Sequence, residues 1–478
     1  MVTKTATRPA VGINLPFIDR EFIDRSFERV TGAELIQGND VELLIDAAEN
    51  YPEWLAAIGA AERRIFFESY IIHEDEQGEI FADALIKKAK EGVEIKVIYD
   101  WLGGLGTTSR RYWKHLRQNG VEVRVYNPPR LRDPLGFFTR DHRKVLVVDS
   151  TIAFVTGLCV GQDWVGYPEN GIPGWRDTGV KLTGPAVADV EFSFANVWST
   201  TGEPLDKAKL CRRDEIAKTG PIAVRVVQSV PGTAHIYRTD QLLATAARDS
   251  MWLTDAYFIG IPSYLQALKD AAADDVDVRI LVPQSTDIGL IRDTTRSTYR
   301  PLLEAGIRVF EWNGPMMHAK TAVFDGRFSR VGSTNLNIAS WFGNYELDVL
   351  VEDESFGKRM QQQFEKDMTN ATEIVLADTA RKRPRIKRNK GSRRGGGSMR
   401  KATAGALNAA TSIGSAITRR APLGAAEARL LFIVGTALLV LAFLFILFPR
   451  GTSIPFVAIL LLIAFPTLFK ALQNYRNS

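Results

Sequence analysis

The feature that most restricts how this chain can fold is an internal repeat. Three alternating apolar segments of the first half return in the second half about 185 residues later, namely 65–70 as 251–257, 92–97 as 275–280 and 119–125 as 305–310. A repeat of this length is far longer than the units of solenoid proteins. The chain is therefore expected to contain two copies of one domain.

Each copy alternates short β-branched runs with amphipathic stretches, which is typical of an α/β fold. In the first copy we predict a strand at 64–72, a helix at 79–91 and a strand at 93–99. Polar, glycine and proline residues interrupt the pattern near 200–221, and a domain boundary is expected there. The predicted division is an N-terminal extension (1–40), two repeated domains (41–205 and 220–380), a basic flexible linker (381–427) and a transmembrane hairpin with a short tail (428–478).

The positive charge of the chain is concentrated in one tract. Of a formal net charge of +5, the segment 381–401 contributes eleven lysines and arginines and no acid, which leaves the remainder at −6. A mildly acidic body argues against nucleic acid as a partner. The tract fits two interpretations, a solvated linker that sets membrane orientation or a segment attracted to an anionic membrane surface.

Two uncharged segments near the C-terminus predict insertion into the membrane. Residues 430–448 are nineteen residues without a charge, enough to cross the hydrocarbon core of a bilayer. Residues 454–469 are also uncharged but shorter, and they contain Pro455 and Pro466, so a hairpin is favoured over a re-entrant segment. More basic residues precede the first span than follow it, which places the body and both termini on the cytoplasmic side of the cell membrane.

The cysteine content gives no sign of a metal or redox centre. The chain has two cysteines, Cys159 and Cys211, and neither belongs to a CxxC or Cys/His pattern. Two reduced thiols in a cytosol-facing protein are expected. No zinc-ligand spacing occurs, so neither a metal nor a cofactor is predicted.

The strongest chemical signal is a motif that occurs once in each repeat. Two of the five histidines begin the pattern H-x-K-x4-D. A histidine and a lysine two residues apart on a strand point to the same face, so both can address one phosphate group. The apolar run that follows resembles a buried strand, and the aspartate at its end is expected to tie down the next turn. The motif residues are His142, Lys144 and Asp149 in the first repeat and His318, Lys320 and Asp325 in the second.

A small-residue turn and then an acid follow each motif. In the second repeat Ser333 and Asn335 offer a hydroxyl and an amide to phosphate oxygens, whereas the first repeat has Thr156, with less polar capacity. The acids are Asp177 and Glu346. A carboxylate that accepts a hydrogen bond from Nδ1–H of a histidine would fix the histidine tautomer and stabilise its charged form.

These duplicated motifs resemble those of the phospholipase D superfamily, and in particular of the bacterial cardiolipin synthases. The resemblance covers residues 40–380 and includes the segments 43–52, 67–70 and 175–178. It implies two tandem phospholipase D-like α/β/α sandwich domains with one shared active site and no metal. It also implies a phosphatidyltransferase that joins two phosphatidylglycerol molecules into cardiolipin and glycerol through a phosphohistidine intermediate.

The resemblance also implies roles for individual residues. By analogy with the family, His142 is the nucleophile and His318 the general acid and base. Both motif lysines, with Ser333 and Asn335, would stabilise charge on the non-bridging phosphate oxygens. The two motifs are nearly symmetric, so the residues themselves do not distinguish the two histidines.

Two features depart from the family pattern. The family usually has Gly-Gly-x-Asn after the first motif, whereas this chain has Thr156-Gly-Leu-Cys159 and therefore lacks an amide on that side. The membrane anchor lies at the C-terminus, after a flexible tether. Other functions remain open: a phospholipase D that hydrolyses phospholipids to phosphatidic acid, a membrane-tethered nuclease or an inactive scaffold. The oligomeric state is not predicted.

One loop is a candidate for contact with lipid. The segment 134–138 combines two phenylalanines with basic neighbours and lies just before His142. Insertion into the membrane interface and ordinary core packing are the two roles considered for it.

Overall fold

The computed structural model describes residues 20–129, 139–287 and 289–376. The predicted basic linker and transmembrane hairpin lie outside these residues, as does the candidate lipid loop 134–138. No helix within the described ranges is both long and apolar enough to cross a membrane.

The first half of the chain alternates strands and helices, which confirms the α/β prediction. The strand, helix and strand predicted from the sequence occur with shifts of a few residues at their ends. The elements are α1 (Arg20–Thr31), β1 (Ile36–Ile45), α2 (Asp46–Ala60), β2 (Arg64–Ser69), α3 (Glu76–Lys90), β3 (Glu94–Asp100), α4 (Arg110–Gln118), β4 (Glu122–Tyr126), β5 (Lys144–Val148), β6 (Ile152–Thr156), α5 (Gln162–Val165), β7 (Gly166–Tyr167), β8 (Ile172–Pro173), β9 (Thr178–Thr183) and α6 (Val187–Thr200).

The second half repeats this order. Its elements are β10 (Ile222–Ser229), α7 (His235–Ala246), β11 (Ser250–Thr254), α8 (Pro262–Ala273), β12 (Asp277–Pro283), α9 (Gly289–Ser297), α10 (Tyr299–Glu304), β13 (Arg308–Trp312), β14 (Thr321–Phe324), β15 (Phe328–Gly332), β16 (Glu346–Glu352), α11 (Glu354–Met368) and β17 (Ala371–Ile374). Helices begin at side-chain caps where the sequence provides them, as when Asp75 and Ser109 accept hydrogen bonds from backbone N–H groups of the first turn.

The strands of both halves join in one fifteen-stranded sheet. Its order is β17-β13-β12-β11-β14-β15-β16-β10-β1-β9-β6-β5-β2-β3-β4, and β7 and β8 form a separate hairpin. Apart from β17, the two halves mirror one another about the central antiparallel pair of β1 and β10, in which Ile36 lies opposite Val224. The repeat alone did not indicate that the two domain sheets are continuous.

A shared core holds the halves together. Each half has its own cluster of buried apolar side chains, but the largest cluster contains residues from both. Val145 and Val155 of the first half pack in it with Val323 and Val331 of the second. Strands β5 and β14 are buried on both faces, which is why they consist almost entirely of apolar residues after the motif lysine.

Within each half, strand direction brings the motif segment to one edge of the strands. Strand β5 runs antiparallel to β2, so Lys144 at its start lies opposite Ser69 at the end of β2. In the second half Thr321 at the start of β14 lies opposite Thr254 at the end of β11. The turn after β6 and the start of β9 lie at this edge of the first half, and the turn after β15 and the start of β16 at that of the second. Backbone bridges from 141 to 345 and from 176 to 317 join the two edges. We call the joined edges the motif edge, because the histidines, the small-residue turns and the acids all lie there.

Candidate active site

At the motif edge each motif histidine pairs with a buried carboxylate. The Nδ1 atom of His142 lies 3.0 Å from both carboxylate oxygens of Glu346. The Nδ1 atom of His318 lies 2.6 Å from Oδ2 of Asp177. Both carboxylates are fully buried. Because Nδ1 faces the acid, Nε2 is the ring nitrogen left for a substrate.

These pairs cross between the two halves. Asp177 follows the first motif in the chain but contacts the second histidine, and Glu346 follows the second motif but contacts the first. The backbone explains the exchange: the N–H of His142 donates to the carbonyl of Tyr345 at 3.0 Å, and the N–H of His318 to the carbonyl of Arg176 at 2.7 Å. Each of these carbonyls belongs to the residue just before the paired acid.

Burial and the neighbouring lysines oppose protonation of the histidines. Burial and Lys320 together lower the pKa of His318 to about 4, although Asp177 opposes the shift. Burial also lowers the pKa of His142, although Glu346 opposes it. Burial alone would raise the pKa of both acids, but the nearby histidines and lysines outweigh this effect. The pKa of Glu346 therefore lies below its usual value, and that of Asp177 is about 2. Both imidazoles are therefore neutral at pH 7.

The two motifs share one site. In addition to burial, Lys144 of the first motif lowers the pKa of His318, and Lys320 of the second lowers that of His142. Burial lowers the pKa of Lys320 itself to about 8. Each lysine donates from Nζ to the carbonyl of the histidine two residues earlier, at 2.5 Å in the first motif. Within the described ranges, no group of three or more His, Cys, Asp or Glu side chains is arranged to hold a metal ion.

The three residues predicted to bind phosphate differ in the hydrogen bonds that their side chains already make within the protein. The hydroxyl of Ser333 donates to Glu346 at 2.5 Å and so helps to hold the acid of the first pair. The hydroxyl of Thr156 accepts from the N–H of Leu158 within its own turn at 2.9 Å. The side-chain oxygen of Asn335 is buried and has no hydrogen-bond partner among the described residues. Of the three, Asn335 is the residue whose side chain is left available.

The two turns differ at the positions closest to the acids. Counted from the motif histidines, Cys159 occupies the place of Asn335, and it is buried. Gly157 occupies the place of Ser333 and lies against Asp177, where a Cβ would come within 2.2 Å of Oδ1. The hydroxyl that supports one acid therefore has no counterpart beside the other.

Aromatic rings surround the histidines unequally, and the sequence analysis identified these rings only in part. Tyr70 and Trp175 lie in segments that resemble the family, and Tyr257 matches Tyr70 in the repeat. No sequence pattern pointed to Trp164, whose indole N–H donates to Asp177 at 3.0 Å. The ring centroids lie 5.0 Å from His142 for Tyr70, and from His318 they lie 5.5 Å for Trp164, 5.5 Å for Trp175 and 6.1 Å for Tyr257.

The motif aspartates lie at the far end of the motif strands, away from the histidines. Asp149 accepts hydrogen bonds from three consecutive backbone N–H groups, at 62–64, and Asp325 from three at 248–250. Both residues have a φ of 51°. Burial alone would raise the pKa of Asp149, but the three N–H groups hold it below its usual value. Asp149 thus holds the start of β2, which pairs with β5, and Asp325 holds the start of β11, which pairs with β14.

A buried pair of acids beside His142 was not identified from the sequence. Glu68 and Asp141 are fully buried, and no well-formed hydrogen bond from another described residue reaches their carboxyl oxygens. The nearby guanidinium of Arg143 donates to backbone carbonyls instead. Burial raises the pKa of Asp141 to about 7, and burial together with the Asp141 carboxyl raises that of Glu68. The two acids therefore hold a proton between them at neutral pH.

The sequence is similar to that of known cardiolipin synthases. A family profile described as cardiolipin synthase, PLD-like domain, matches residues 54–160 and 241–368. A cardiolipin synthase of Alkalihalophilus pseudofirmus is 32% identical over 342 residues, which cover 70% of this chain and 67% of the relative. One of Clostridium perfringens is 31% identical over 348 residues, which cover 71% of this chain and 72% of the relative.

The fold is similar to that of a solved enzyme structure. The crystal structure of phosphatidylserine synthase from Haemophilus influenzae superimposes with a TM-score of 0.56 and covers 73% of this chain and 91% of its own. The sequences are 16% identical, so this comparison supports the fold alone.

We predict that Asp149→Ala destabilises the protein, although Asp149 makes no contact with either motif histidine. Three backbone N–H groups lose their acceptor, and the free energy of unfolding should fall by about 1–3 kcal/mol. Urea unfolding followed by tryptophan fluorescence measures it. Asp214→Ala is the control, because Asp214 is exposed and pairs with Arg212 at the surface, so its loss should change the midpoint little. Equal midpoints for the two variants would contradict the prediction.

The acid pair predicts a pH-dependent stability difference. Because the folded protein keeps a proton that the unfolded chain releases, this contribution to stability is complete below about pH 4 and is lost as pH rises toward 7. Asp141→Asn removes one titrating group and still offers a hydrogen bond to Glu68. The variant should therefore gain stability relative to wild type, on the order of 2 kcal/mol, between pH 4 and pH 7. Urea midpoints at several pH values test this, and parallel curves would refute it.

Proposed function

Since the chain belongs to the cardiolipin synthase family of phospholipase D-like proteins, we propose that it is a phosphatidyltransferase. Its substrate is a phospholipid, and the specific reaction is the joining of two phosphatidylglycerol molecules into cardiolipin with release of glycerol. The reaction passes through a phosphohistidine intermediate.

One observation carries the proposal: two histidine–carboxylate pairs, each built from both halves, lie so near each other that the lysine of each motif lowers the pKa of the other motif's histidine. A neutral imidazole can act as a nucleophile, and a second imidazole backed by a carboxylate can carry a proton. Transfer of a phosphatidyl group needs both functions at one phosphorus. The motif edge supplies them on opposite halves of a nearly symmetric site.

In the first step Nε2 of His142 attacks the phosphorus of one phosphatidylglycerol molecule. The bond between phosphorus and the glycerol oxygen breaks, and protonated His318 gives its proton to that oxygen, so glycerol leaves as a neutral alcohol. Asp177 stabilises the imidazolium that His318 must present. The bound phosphodiester also carries a negative charge, which raises the pKa of a nearby imidazole above its low value in the free protein.

In the second step a hydroxyl of another phosphatidylglycerol molecule attacks the phosphohistidine. Neutral His318 takes the proton of that hydroxyl, the bond between phosphorus and Nε2 of His142 breaks, and both histidines return to their starting states. Lys144 and Lys320 stabilise the charge on the non-bridging phosphate oxygens, and the side-chain amide of Asn335 donates a hydrogen bond to one of them. Ser333 contributes indirectly, because its hydroxyl holds Glu346 in place. Thr156 contributes on the side where an amide is missing.

The location follows from the sequence outside the described residues. A C-terminal hairpin anchors the protein in the cell membrane, and the excess of basic residues before it keeps the catalytic body on the cytoplasmic side. An anionic membrane surface attracts the basic linker, which keeps the body within reach of its lipid substrate.

Incubation of the full chain with phosphatidylglycerol vesicles tests the proposed reaction. We expect cardiolipin and glycerol in equal amounts by mass spectrometry of the lipids and assay of the aqueous phase. His142→Ala and His318→Ala should each lower the rate by about 10²–10⁴-fold, because each removes a group that reacts or moves a proton. His115→Ala, at an exposed histidine of α4, is the matched control and should retain full rate. Phosphatidic acid without cardiolipin would indicate a hydrolase instead.

A substrate with p-nitrophenol in place of glycerol tests the roles of the two histidines. This leaving group departs without a proton, so His318→Ala should release about one p-nitrophenol per enzyme and then stop. Peptide mass spectrometry should locate the phosphatidyl group on His142. His142→Ala should give no burst. A burst from His142→Ala, with the label on His318, would reverse the assignment.

A further inference from the structure

The exposed apolar side chains of this protein are unevenly distributed. In the described chain ten large apolar residues are exposed, and six of them lie in three loops. The remaining four lie on α3, on α6 and at the end of the described chain. The six are Leu102 and Leu105 in the loop after β3, Tyr167 and Ile172 in the β7–β8 hairpin, and Ile338 and Phe342 in the turn between β15 and β16.

Topology places all three loops at the motif edge. Strand β3 runs parallel to β2, so the loop after β3 leaves the sheet where β2 ends. The β7–β8 hairpin lies between the end of β6 and the start of β9, and the third loop lies between the end of β15 and the start of β16. Both of these boundaries are at the motif edge. The exposed apolar residues therefore lie at the same strand ends as the site residues.

The first two loops are attached to the rings around the histidines. The backbone at Gly103 lies so close to the carbonyl of Tyr70 that a Cβ would approach it to 2.0 Å. Tyr70 in turn contacts His142. At the base of the β7–β8 hairpin, the N–H of Trp175 donates to the carbonyl of Asp163 at 2.9 Å. The ring of Trp175 lies beside the second histidine.

The third loop is attached in the same way. The side chain of Asn337 donates to the carbonyl of Tyr257 at 3.1 Å, and the ring of Tyr257 lies beside His318. Ile338 follows directly and is 62% exposed, the largest exposure among the six side chains. Each loop thus has an apolar tip facing solvent and a base that contacts the site.

We propose that Leu105, Ile172 and Ile338, with their neighbours in these loops, form a docking surface that inserts into a lipid bilayer around the entrance to the active site. This inference rests on the proposed function. A phospholipid phosphate lies just beneath the membrane surface, so the motif edge must press against the bilayer to reach it. Apolar loop tips that surround the entrance suit the acyl boundary, and residues 101–107 carry no charge to oppose their insertion.

Depth-dependent fluorescence quenching tests the insertion directly. Single cysteines are introduced in the full chain as Leu105→Cys, Ile172→Cys and Ile338→Cys, in a Cys211→Ser background because Cys159 is buried. Each is labelled with bimane, and the protein is reconstituted in phosphatidylglycerol and phosphatidylcholine vesicles with or without nitroxide-labelled lipid. We expect at least twofold quenching at all three positions. Phe192→Cys on α6, also exposed, is the matched control and should not be quenched.

An activity assay separates docking from chemistry. The triple variant Leu105→Ser, Ile172→Ser and Ile338→Ser should lose at least tenfold in activity on vesicles but keep its rate on short-chain phosphatidylglycerol that is dissolved as monomers. Phe192→Ser should keep both rates.

The outcomes distinguish docking from the alternatives. No quenching, or equal loss of activity on both substrates, would overturn the docking surface. Protection of the three labels by a second copy of the chain would assign the surface to an oligomer instead. If the wild type transferred no phosphatidyl group on monomeric lipid, the proposed function would be contradicted, while quenching would still report docking.

Discussion

The active site depends on one interaction that neither half of the chain can make alone, the exchange of carboxylates between the two histidines. His142 takes its acid from the second half, and His318 takes its acid from the first. A histidine without its carboxylate loses the partner that fixes its tautomer. Both reactive groups therefore require the correct juxtaposition of the two halves, and the continuous sheet and shared core hold them in that arrangement.

The same exchange places two lysines and two carboxylates in the interior, where unpaired charges would destabilise the protein. Removal of charged groups from water is unfavourable unless each group is paired. Here the two lysines and two carboxylates balance in formal charge, and each histidine remains neutral beside its acid. Because the site carries no net negative charge, a phosphodiester anion can bind beside the lysines. Nearby, Glu68 and Asp141 avoid a second buried negative charge by retaining a proton between them.

Near symmetry conceals a difference in how the two acids are held. The sequence indicated fewer polar groups in the first turn, but not that Gly157 admits the Asp177 carboxylate where Ser333 supports Glu346. The indole of Trp164 supports Asp177 instead, from a segment with no counterpart in the motif comparison. Residues such as these act through contacts between distant segments, so a spacing rule within one segment could not identify them.

Local residue patterns predicted the α/β repeat, the buried strand after each motif and the two acids as candidates. The strand predicted at the histidines themselves was wrong, because β5 begins only at Lys144 and β14 only at Thr321. The features predicted correctly follow from periodicity over a few residues, which the backbone geometry of a strand converts directly into direction. The folded chain alone shows which acid pairs with which histidine, that the sheets of the two halves are continuous, and that the three apolar loops lie at the motif edge. The physical reason is that these contacts join segments far apart in the chain. Their partners are chosen by packing of the whole sheet, and local sequence patterns carry no information about that choice.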